Sequence, residues 1–240
     1  MTRMLIFLVA SLASIFLPSP RAVSQESEPS KEALRQNIVL IVVDDQGLDA
    51  GAYGNPVIQT PAFDALASDG MRFEYAFATT ASCSASRSVI LTGLHNHRNG
   101  QYGHEHSYHG FETHKRLPDG PEVQSLPVLL KRSGYRTARI GKLHVAPPEI
   151  YAFDTVLAGN PGGARNPVSM AERAREFIAA SDEPFFLYFC PSDPHRSGDR
   201  REDRPGRPDR FGNRAADGQY EGVTKNEVDP AAVIVPPFLP

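Results

Sequence analysis

Short apolar runs separated by helix-like stretches constrain the fold of this chain more than any other feature. Residues 38–43 read IVLIVV, and residues 185–190 read FFLYFC. A run of this length without polar positions predicts a parallel strand covered on both faces, and we expect 38–43 to be a central strand. Residues 137–140 predict a third strand, and residues 72–78 predict a further short one.

Helix signals fall between these predicted strands. A Thr-Pro pair at 60–61 predicts a helix that runs to residue 68, because proline suits the first helical position. Residues 84–92 and 125–133 have helical character and are each followed by glycine, and residues 168–180 carry apolar side chains at helical spacing. Strands that alternate with helices predict an α/β fold, with a layered, mostly parallel central sheet flanked by helices.

The first 24 residues have the pattern of a secretory signal peptide. Arg3 precedes an apolar run at 4–17, and 22–24 offers small residues for cleavage after Ser24. The run is too short to span a bilayer, which takes about 20 residues. We therefore expect export to the periplasm or the medium, or to the lysosome in a eukaryote, with 25–36 as a flexible lead-in and no stable membrane insertion. An uncleaved membrane anchor is the alternative.

Charge and cysteine content narrow the classes of function. A net charge of -3 provides no electrostatic case for nucleic-acid binding. The chain has two cysteines, Cys83 and Cys190, which is few for an exported protein stabilised by disulfides. We expect both to be unpaired, so a free thiol at Cys83 in an exported protein requires a chemical explanation.

Polar side chains follow three of the predicted strands. They are Asp44 and Asp45 after 38–43, Lys142 and His144 after 137–140, and Asp193 and His195 after 185–190. Ligands of open α/β sheets bind beyond the carboxyl ends of the strands, so we expect these three sets to meet at one site. Any one set alone could be an ordinary polar loop, but three together favour a shared site.

Asp44 and Asp45 place two carboxylates at the end of a predicted buried strand. Adjacent carboxylates repel each other unless a cation neutralises them, and hard oxygen ligands of this kind suit Ca²⁺ or Mg²⁺. The alternative is that the pair caps a turn.

Cys83 directly precedes a predicted helix, and Arg87 lies one turn further on. Helix N-termini favour anions, and a guanidinium matches the oxygens of sulfate or phosphate. Two alternatives stay open for Cys83. It could be a buried structural thiol, or the nucleophile of a cysteine protease with His144 or His195 as base.

Six of the eight histidines lie between His95 and His114. Their irregular spacing, with no cysteine ligands among them, argues against a zinc site. We expect most of them to be loop residues, with one or two lining a pocket.

The segment CSASR at 83–87, followed by LTG at 91–93, resembles the signature of the sulfatase family. The resemblance is strengthened by the Asp pair at 44–45 and by GKLH at 141–144. Within the family, the chain is similar to the heparan N-sulfatase branch. That similarity rests on the segments NGQYG at 99–103, SLPVLL at 125–130, PFFLY at 184–188, DPHRSG at 193–198 and FGN at 211–213.

The resemblance implies an alkaline-phosphatase-like sulfatase core and a nucleophile at Cys83. In that family the cysteine is oxidised to formylglycine by a maturation enzyme, and its hydrated form is both nucleophile and metal ligand. Asp44 and Asp45 would be ligands of Ca²⁺, with Mg²⁺ a less suitable ion. Arg87 would hold the hydrated formylglycine.

The resemblance also implies a sulfated sugar as substrate, with N-sulfoglucosamine of heparan-type chains as the first expectation. Lys142 and His195 would bind the sulfate and stabilise developing charge or the leaving group. His144 would assist breakdown of the sulfated intermediate, and Asp193 would touch the substrate.

Two departures from the family pattern matter. Ala85 stands where proline is commoner, which bears on the maturation system that would accept the chain. Family members also continue past residue 240 and supply an Asp-Asn pair to the calcium site, so we expect 37–240 to be the N-terminal part of a sulfatase catalytic domain, incomplete at its C-terminus. The alternatives are a phosphomonoester or phosphonate hydrolase on this scaffold, an inactive remnant and a sugar-binding fragment.

Overall fold

The computed structural model describes residues 35–104, 124–159, 163–195 and 229–233. The predicted signal peptide, residues 25–34 of the lead-in, and three of the histidines between His95 and His114 lie outside these ranges. Among the residues that the structure describes, no helix has the length and apolar character needed to cross a membrane.

Four strands and five α-helices make up the regular structure of the described residues. The strands are β1 (Ile38–Ile41), β2 (Arg136–Gly141), β3 (Thr155–Val156) and β4 (Phe185–Cys190). The helices are α1 (Pro61–Asp69), α2 (Cys83–Thr92), α3 (Asn96–Asn99), α4 (Leu126–Arg132) and α5 (Pro167–Ala179). Short 3₁₀ turns occur at Gly51–Tyr53, Gly163–Arg165 and Pro230–Ala232.

The strands form one parallel sheet in the order β1-β4-β2-β3, as the alternation of strands and helices predicts. Ile38 of β1 pairs with Phe186 of β4, and Arg136 of β2 pairs with Phe185. Strand β4 is therefore flanked on both edges, and nearly all its side chains are buried.

The expectation that 38–43 is a central strand covered on both faces is wrong for the described sheet. β1 lies at an edge, and its side chains alternate between faces, with Val39 48% and Ile41 56% exposed. An apolar run predicts a strand but not its neighbours, and here β4, far away in sequence, takes the central position.

The strand predicted at 72–78 is also absent from this part of the structure. Phe73, Tyr75 and Phe77 are all exposed, and these residues form no strand. A stable strand needs hydrogen bonds to a neighbouring strand, and a pattern of alternating aromatic residues does not show that such a neighbour exists.

Helices pack on both faces of the sheet and divide its core in two. On one face, Leu91 of α2 joins Phe186 and Tyr188 of β4 in a buried cluster. On the other, Ala174 and Phe177 of α5 pack with side chains of β2 and β4. Helices thus cover β4 on both faces, and α2, which begins at Cys83, packs against the side chains of this strand.

Gly141 shapes the turn that leaves β2. Its φ is +84°, and a Cβ at this position would lie 2.0 Å from the carbonyl oxygen of Cys190. Only glycine fits both this left-handed backbone and this close approach. The next residue, Lys142, donates its backbone N–H to that same carbonyl at 2.8 Å, so the turn brings Lys142 to the end of β4.

Candidate active site

The structure brings all three polar sets to the carboxyl edge of the sheet. Beyond β1 and β4, Asp44 forms a parallel bridge with Pro194, and its N–H lies 3.5 Å from the carbonyl oxygen of Asp193. Lys142 reaches the same edge through its bond to Cys190. The helix α2 supplies Cys83 at its first position and Arg87 one turn later.

Arg87, Asp44 and Lys142 form a buried group of charges, here called the ionic centre. The side chains of Arg87 and Asp44 are each only 2% exposed. Arg87 donates to Asp44 Oδ1 at 3.3 Å, to the Tyr188 hydroxyl at 3.3 Å and to the Lys142 carbonyl at 3.1 Å. Lys142 Nζ forms an ion pair with the other Asp44 oxygen. Both oxygens of this carboxylate therefore face cations.

The electrostatics of the ionic centre favour the charged forms of Asp44 and Arg87. Burial is the strongest single influence on Asp44 and opposes its ionisation, but Lys142, together with the charges of Arg87 and His195, holds the pKa of this carboxyl below its usual range. Burial likewise opposes the charge on Arg87, and contacts that include Tyr188 and Asp44 outweigh it and raise the pKa of the guanidinium.

Cys83, His104 and His144 form a second group, here called the thiol–imidazole cluster. Cys83 Sγ lies 3.3 Å from His144 Nδ1 and 3.9 Å from His104 Nδ1. The two imidazole rings are tilted with their centroids 5.2 Å apart. All three side chains are half-buried, in contrast to the ionic centre. The cluster thus combines a nucleophile with two groups that can accept or donate a proton.

His144 has a backbone conformation unusual for a residue other than glycine. Its φ is +55°, in the left-handed region, and the same holds for Asp45 at +62°. Such conformations persist only where the surroundings enforce them, and they are frequent at functional sites. The left-handed backbone at Asp45 separates its carboxylate from that of Asp44. The Asp45 side chain is 61% exposed, whereas that of Asp44 is buried.

His195, Asp45 and Asp193 lie beside the ionic centre. His195 Nε2 is 3.6 Å from Asp45 Oδ2. Asp193 forms an ion pair with Arg165, which also donates to the His195 carbonyl at 3.1 Å. Burial raises the pKa of the Asp193 carboxyl despite the opposing charge of Arg165. Arg165 therefore positions the segment that carries both residues.

Two residues of the site, Arg165 and His104, were not predicted from the sequence. Arg165 precedes α5 with no motif around it, so only the fold reveals its contact with Asp193. His104 belongs to the histidine-rich stretch, for which one or two pocket residues are expected, but nothing in the sequence distinguishes it from its neighbours. His95 and His97 are exposed and stack on each other instead.

A buried polar network fixes the segment that carries His104 against α2. Asn99 donates to Ser88 Oγ at 3.1 Å, and Gln101 donates to Ser84 Oγ at 2.6 Å. Both amide side chains are fully buried. Because buried polar groups need partners, these bonds define one position for the chain after α3 and thus for His104.

Asp44 and Asp45 fit a calcium ion by donor type, since carboxylate oxygens are the ligands that Ca²⁺ prefers. Asp44 is also oriented, although its oxygens now face Arg87 and Lys142. Two carboxylates are fewer than the six to eight oxygens that Ca²⁺ takes. The pair would therefore be one part of such a shell. The sulfur and nitrogen donors of the thiol–imidazole cluster do not suit calcium.

Comparison with known proteins places this site in context. The Sulfatase family model matches residues 36–230. Human N-sulphoglucosamine sulphohydrolase is 38% identical over 211 residues, which cover 85% of this chain and 41% of the human protein. An ulvan-active sulfatase of Formosa agariphila is 32% identical over 164 residues, covering 67% of this chain and 30% of that protein. The chain thus spans less than half the length of these relatives.

Solved structures show the same fold. A protein of Bacteroides thetaiotaomicron, solved as a candidate sulfatase, superimposes with a TM-score of 0.54 at 22% identity, over 72% of this chain and 40% of that one. Ps i-CgsB bound to k-i-k-neocarrahexaose gives 0.53 at 23% identity, over 67% and 46%. The predicted alkaline-phosphatase-like fold is confirmed, and with the family model covering most of its length, this chain belongs to the sulfatase family.

Proposed function

We propose that this chain carries the nucleophile and the sulfate-binding side chains of an enzyme that hydrolyses sulfate groups on sulfated sugars. The proposed substrate is N-sulfoglucosamine at the end of heparan-type chains. One observation carries the proposal: Cys83 at the start of α2 lies in contact with His144, and Arg87 of the same helix contacts Lys142. The 38% identity to human N-sulphoglucosamine sulphohydrolase supports the choice of substrate.

Cys83 is the proposed nucleophile, after its conversion to formylglycine by a maturation enzyme. At the first position of α2, it adjoins backbone N–H groups without helical partners, which attract an anion such as sulfate. Arg87 adds a buried positive charge on the same helix, and its three hydrogen bonds restrict its movement. A charge fixed before the reaction stabilises the transferring group without reorganisation.

Lys142 and His195 are proposed to bind sulfate and to stabilise charge on the leaving group. Lys142 enters from the turn after β2, and His195 from the segment after β4, so the sulfate would be contacted from two sides. A leaving nitrogen needs a proton, and imidazole is the side chain suited to proton transfer near neutral pH. His144, in contact with position 83, is proposed to accept the proton of the second hydroxyl of the hydrated formylglycine as the sulfated intermediate breaks down to the aldehyde and free sulfate.

Ca²⁺ is the proposed metal, with Asp44 and Asp45 among its ligands and with position 83 as a further ligand. When bound, it would supply positive charge to the sulfate oxygens. Asp193 is proposed to touch the sugar. Its ion pair with Arg165 supports a fixed position for this carboxylate near the edge of the site.

The test co-expresses the full chain with a formylglycine-generating enzyme and verifies conversion of Cys83 by mass spectrometry. Sulfate release from N-sulfoglucosamine and from an aryl sulfate is then measured, together with phosphate release from the matching aryl phosphate. We expect release from the sulfated substrates, loss of at least about 100-fold in Cys83→Ala, and normal turnover in His97→Ala, which removes an exposed histidine outside the site.

Two outcomes would contradict the proposal. Fully converted, folded protein that releases no sulfate from either sulfated substrate would exclude this activity for the chain. Preferential cleavage of the aryl phosphate would instead favour the phosphomonoester hydrolase alternative. If the aryl sulfate is cleaved and N-sulfoglucosamine is not, the proposed reaction stands and the proposed substrate is wrong.

We further propose export, which rests on the signal-peptide pattern of residues 1–24. To test export, the chain is expressed in a secreting host, and the N-terminus of the product is determined by mass mapping. Cleavage after Ser24 is expected, and an intact N-terminus on a cell-associated product would contradict it.

A further inference from the structure

We propose that the thiol–imidazole cluster binds a zinc-class cation for as long as Cys83 is an unmodified thiol. The ligands are Cys83 Sγ, His104 Nδ1 and His144 Nδ1. The site includes none of the carboxylates proposed for calcium. Position 83 belongs to both sites, as a thiolate here and as formylglycine in the calcium site, so this site exists only before conversion and does not depend on the proposed sulfatase reaction.

The distances between the donor atoms fit such a cation. Bonds of about 2.3 Å to sulfur and about 2.0–2.1 Å to nitrogen in a tetrahedron place sulfur about 3.6 Å from each nitrogen. The corresponding separations here are 3.3 Å to His144 and 3.9 Å to His104. All three ligand atoms lie within 4.8 Å of one another. Shifts of about 0.3 Å would therefore bring both sulfur–nitrogen separations to this value.

The three ligands come from separate segments, each with its own support. Cys83 begins α2, whose inner face is packed in the core. His104 follows the segment that is fixed by hydrogen bonds from the side-chain amides of Asn99 and Gln101. His144 takes its left-handed backbone in the loop after β2. A site built in this way before the cation arrives loses little conformational entropy on binding.

The orientation of His104 suits metal binding. Its Nε2 lies 3.3 Å from Ser82 Oγ, whereas its Nδ1 lies 3.9 Å from Cys83 Sγ. If Nε2–H donates to this hydroxyl, the lone pair of Nδ1 faces the thiol. A hydrogen bond at the distal nitrogen of this kind is the usual way in which a metal-binding histidine is oriented.

The donor set selects the class of metal. One thiolate and two imidazoles are ligands for Zn²⁺ and related ions, whereas Ca²⁺ and Mg²⁺ require oxygen donors. Three protein ligands leave a fourth position for water, as in open zinc sites. Binding needs the thiolate, so the Cys83 thiol releases its proton to solvent as the metal–sulfur bond forms, and affinity rises with pH. A bound cation would also shield Cys83 from thiol reagents and from maturation.

The test uses the full chain expressed without a maturation enzyme, titrated with Co²⁺ as a spectroscopic substitute for Zn²⁺. We expect one equivalent to produce thiolate-to-cobalt charge-transfer absorption and the visible bands of a tetrahedral site. Zn²⁺ should displace the cobalt, and Ca²⁺ should not. Cys83→Ser should abolish the charge-transfer band, and His104→Ala should weaken binding more than about tenfold.

Matched controls exclude other sites. Cys190→Ala removes the buried thiol, and His97→Ala removes an exposed histidine of the same stretch, and both should retain the band. Circular dichroism verifies that each variant is folded. Absence of the band in the folded native chain, or its persistence in Cys83→Ser, would overturn the proposal. Sulfatase assays on converted protein are independent, because conversion of Cys83 removes the thiolate ligand.

Discussion

The two halves of the candidate site differ in burial and in charge. The ionic centre of Asp44, Arg87 and Lys142 is largely buried, and each charge has a partner. The thiol–imidazole cluster is half-buried and joined by weaker contacts between Cys83 and two imidazoles. Both halves take side chains from α2 and from the turn after β2. The difference predicts that loss of a charge from the ionic centre destabilises the fold more than loss of a side chain from the thiol–imidazole cluster.

The largest effect is expected where the ionic centre is broken. Arg87→Leu leaves Asp44 buried with only Lys142 opposite it, and removal of one partner from a buried pair costs about 3–5 kcal/mol. We expect a loss of this size in the free energy of unfolding, measured by urea denaturation. As a control, Arg173→Leu removes an exposed pair with Glu176 and should change stability by less than about 1 kcal/mol. Equal effects in both variants would show that the ionic centre does not stabilise the fold.

The second prediction compares the two thiols. Cys83 is half-buried, whereas Cys190 is fully buried, and burial raises the pKa of the Cys190 thiol. Iodoacetamide should therefore modify Cys83 first, and Cys190 only after local opening. An opening that costs about 3 kcal/mol would slow it by about 100-fold. Mass mapping of native and urea-treated protein measures both rates, and similar native rates would contradict the assigned burial.

A carboxylate away from the site provides the third prediction. Asp154 pairs with Lys131 and accepts bonds from Thr137 N–H at 3.1 Å and from its hydroxyl at 3.0 Å. Burial opposes ionisation of Asp154, but these partners outweigh it and lower the pKa of its carboxyl. Asp154→Asn should cost about 1–2 kcal/mol at neutral pH.

The pH dependence of this effect has a definite sign. A carboxyl with a lowered pKa in the folded state contributes stability above its unfolded pKa of about 3.9 and loses that contribution as pH falls through the folded value. The native chain and Asp154→Asn should therefore converge in stability in acid, as measured by urea midpoints from pH 7 downward. A constant difference across this range would contradict the assignment.

The smallest effect on stability is expected in the thiol–imidazole cluster. His104 is half-buried and lies outside the two hydrophobic core clusters, so His104→Ala should change the free energy of unfolding by less than about 0.5 kcal/mol. The same variant should lose cobalt binding. A destabilisation as large as that of Arg87→Leu would remove the distinction between the two halves of the site.

Much of the fold could be predicted from local patterns. The helices α1, α2, α4 and α5 begin and end within one or two residues of their predicted bounds, because proline, glycine and apolar spacing act locally. The order of the strands could not be predicted in this way. In the sheet, β4 lies between β1 and β2 and leaves β1 at the edge. No local pattern specifies this order.

The amino-acid sequence by itself specified the family, the strand–helix alternation and most of the chemical groups of the site. It could do so because a cysteine at a helix start and polar residues at strand ends are local patterns. Only the tertiary structure decided how these groups divide into a buried ionic centre and an accessible cluster. Asp44 and Asp45 are neighbours in sequence, but one is buried and the other exposed, and His104 joins Cys83 only through long-range packing. Burial and partner choice depend on segments far apart in the chain, and for that reason a sequence pattern alone does not reveal them.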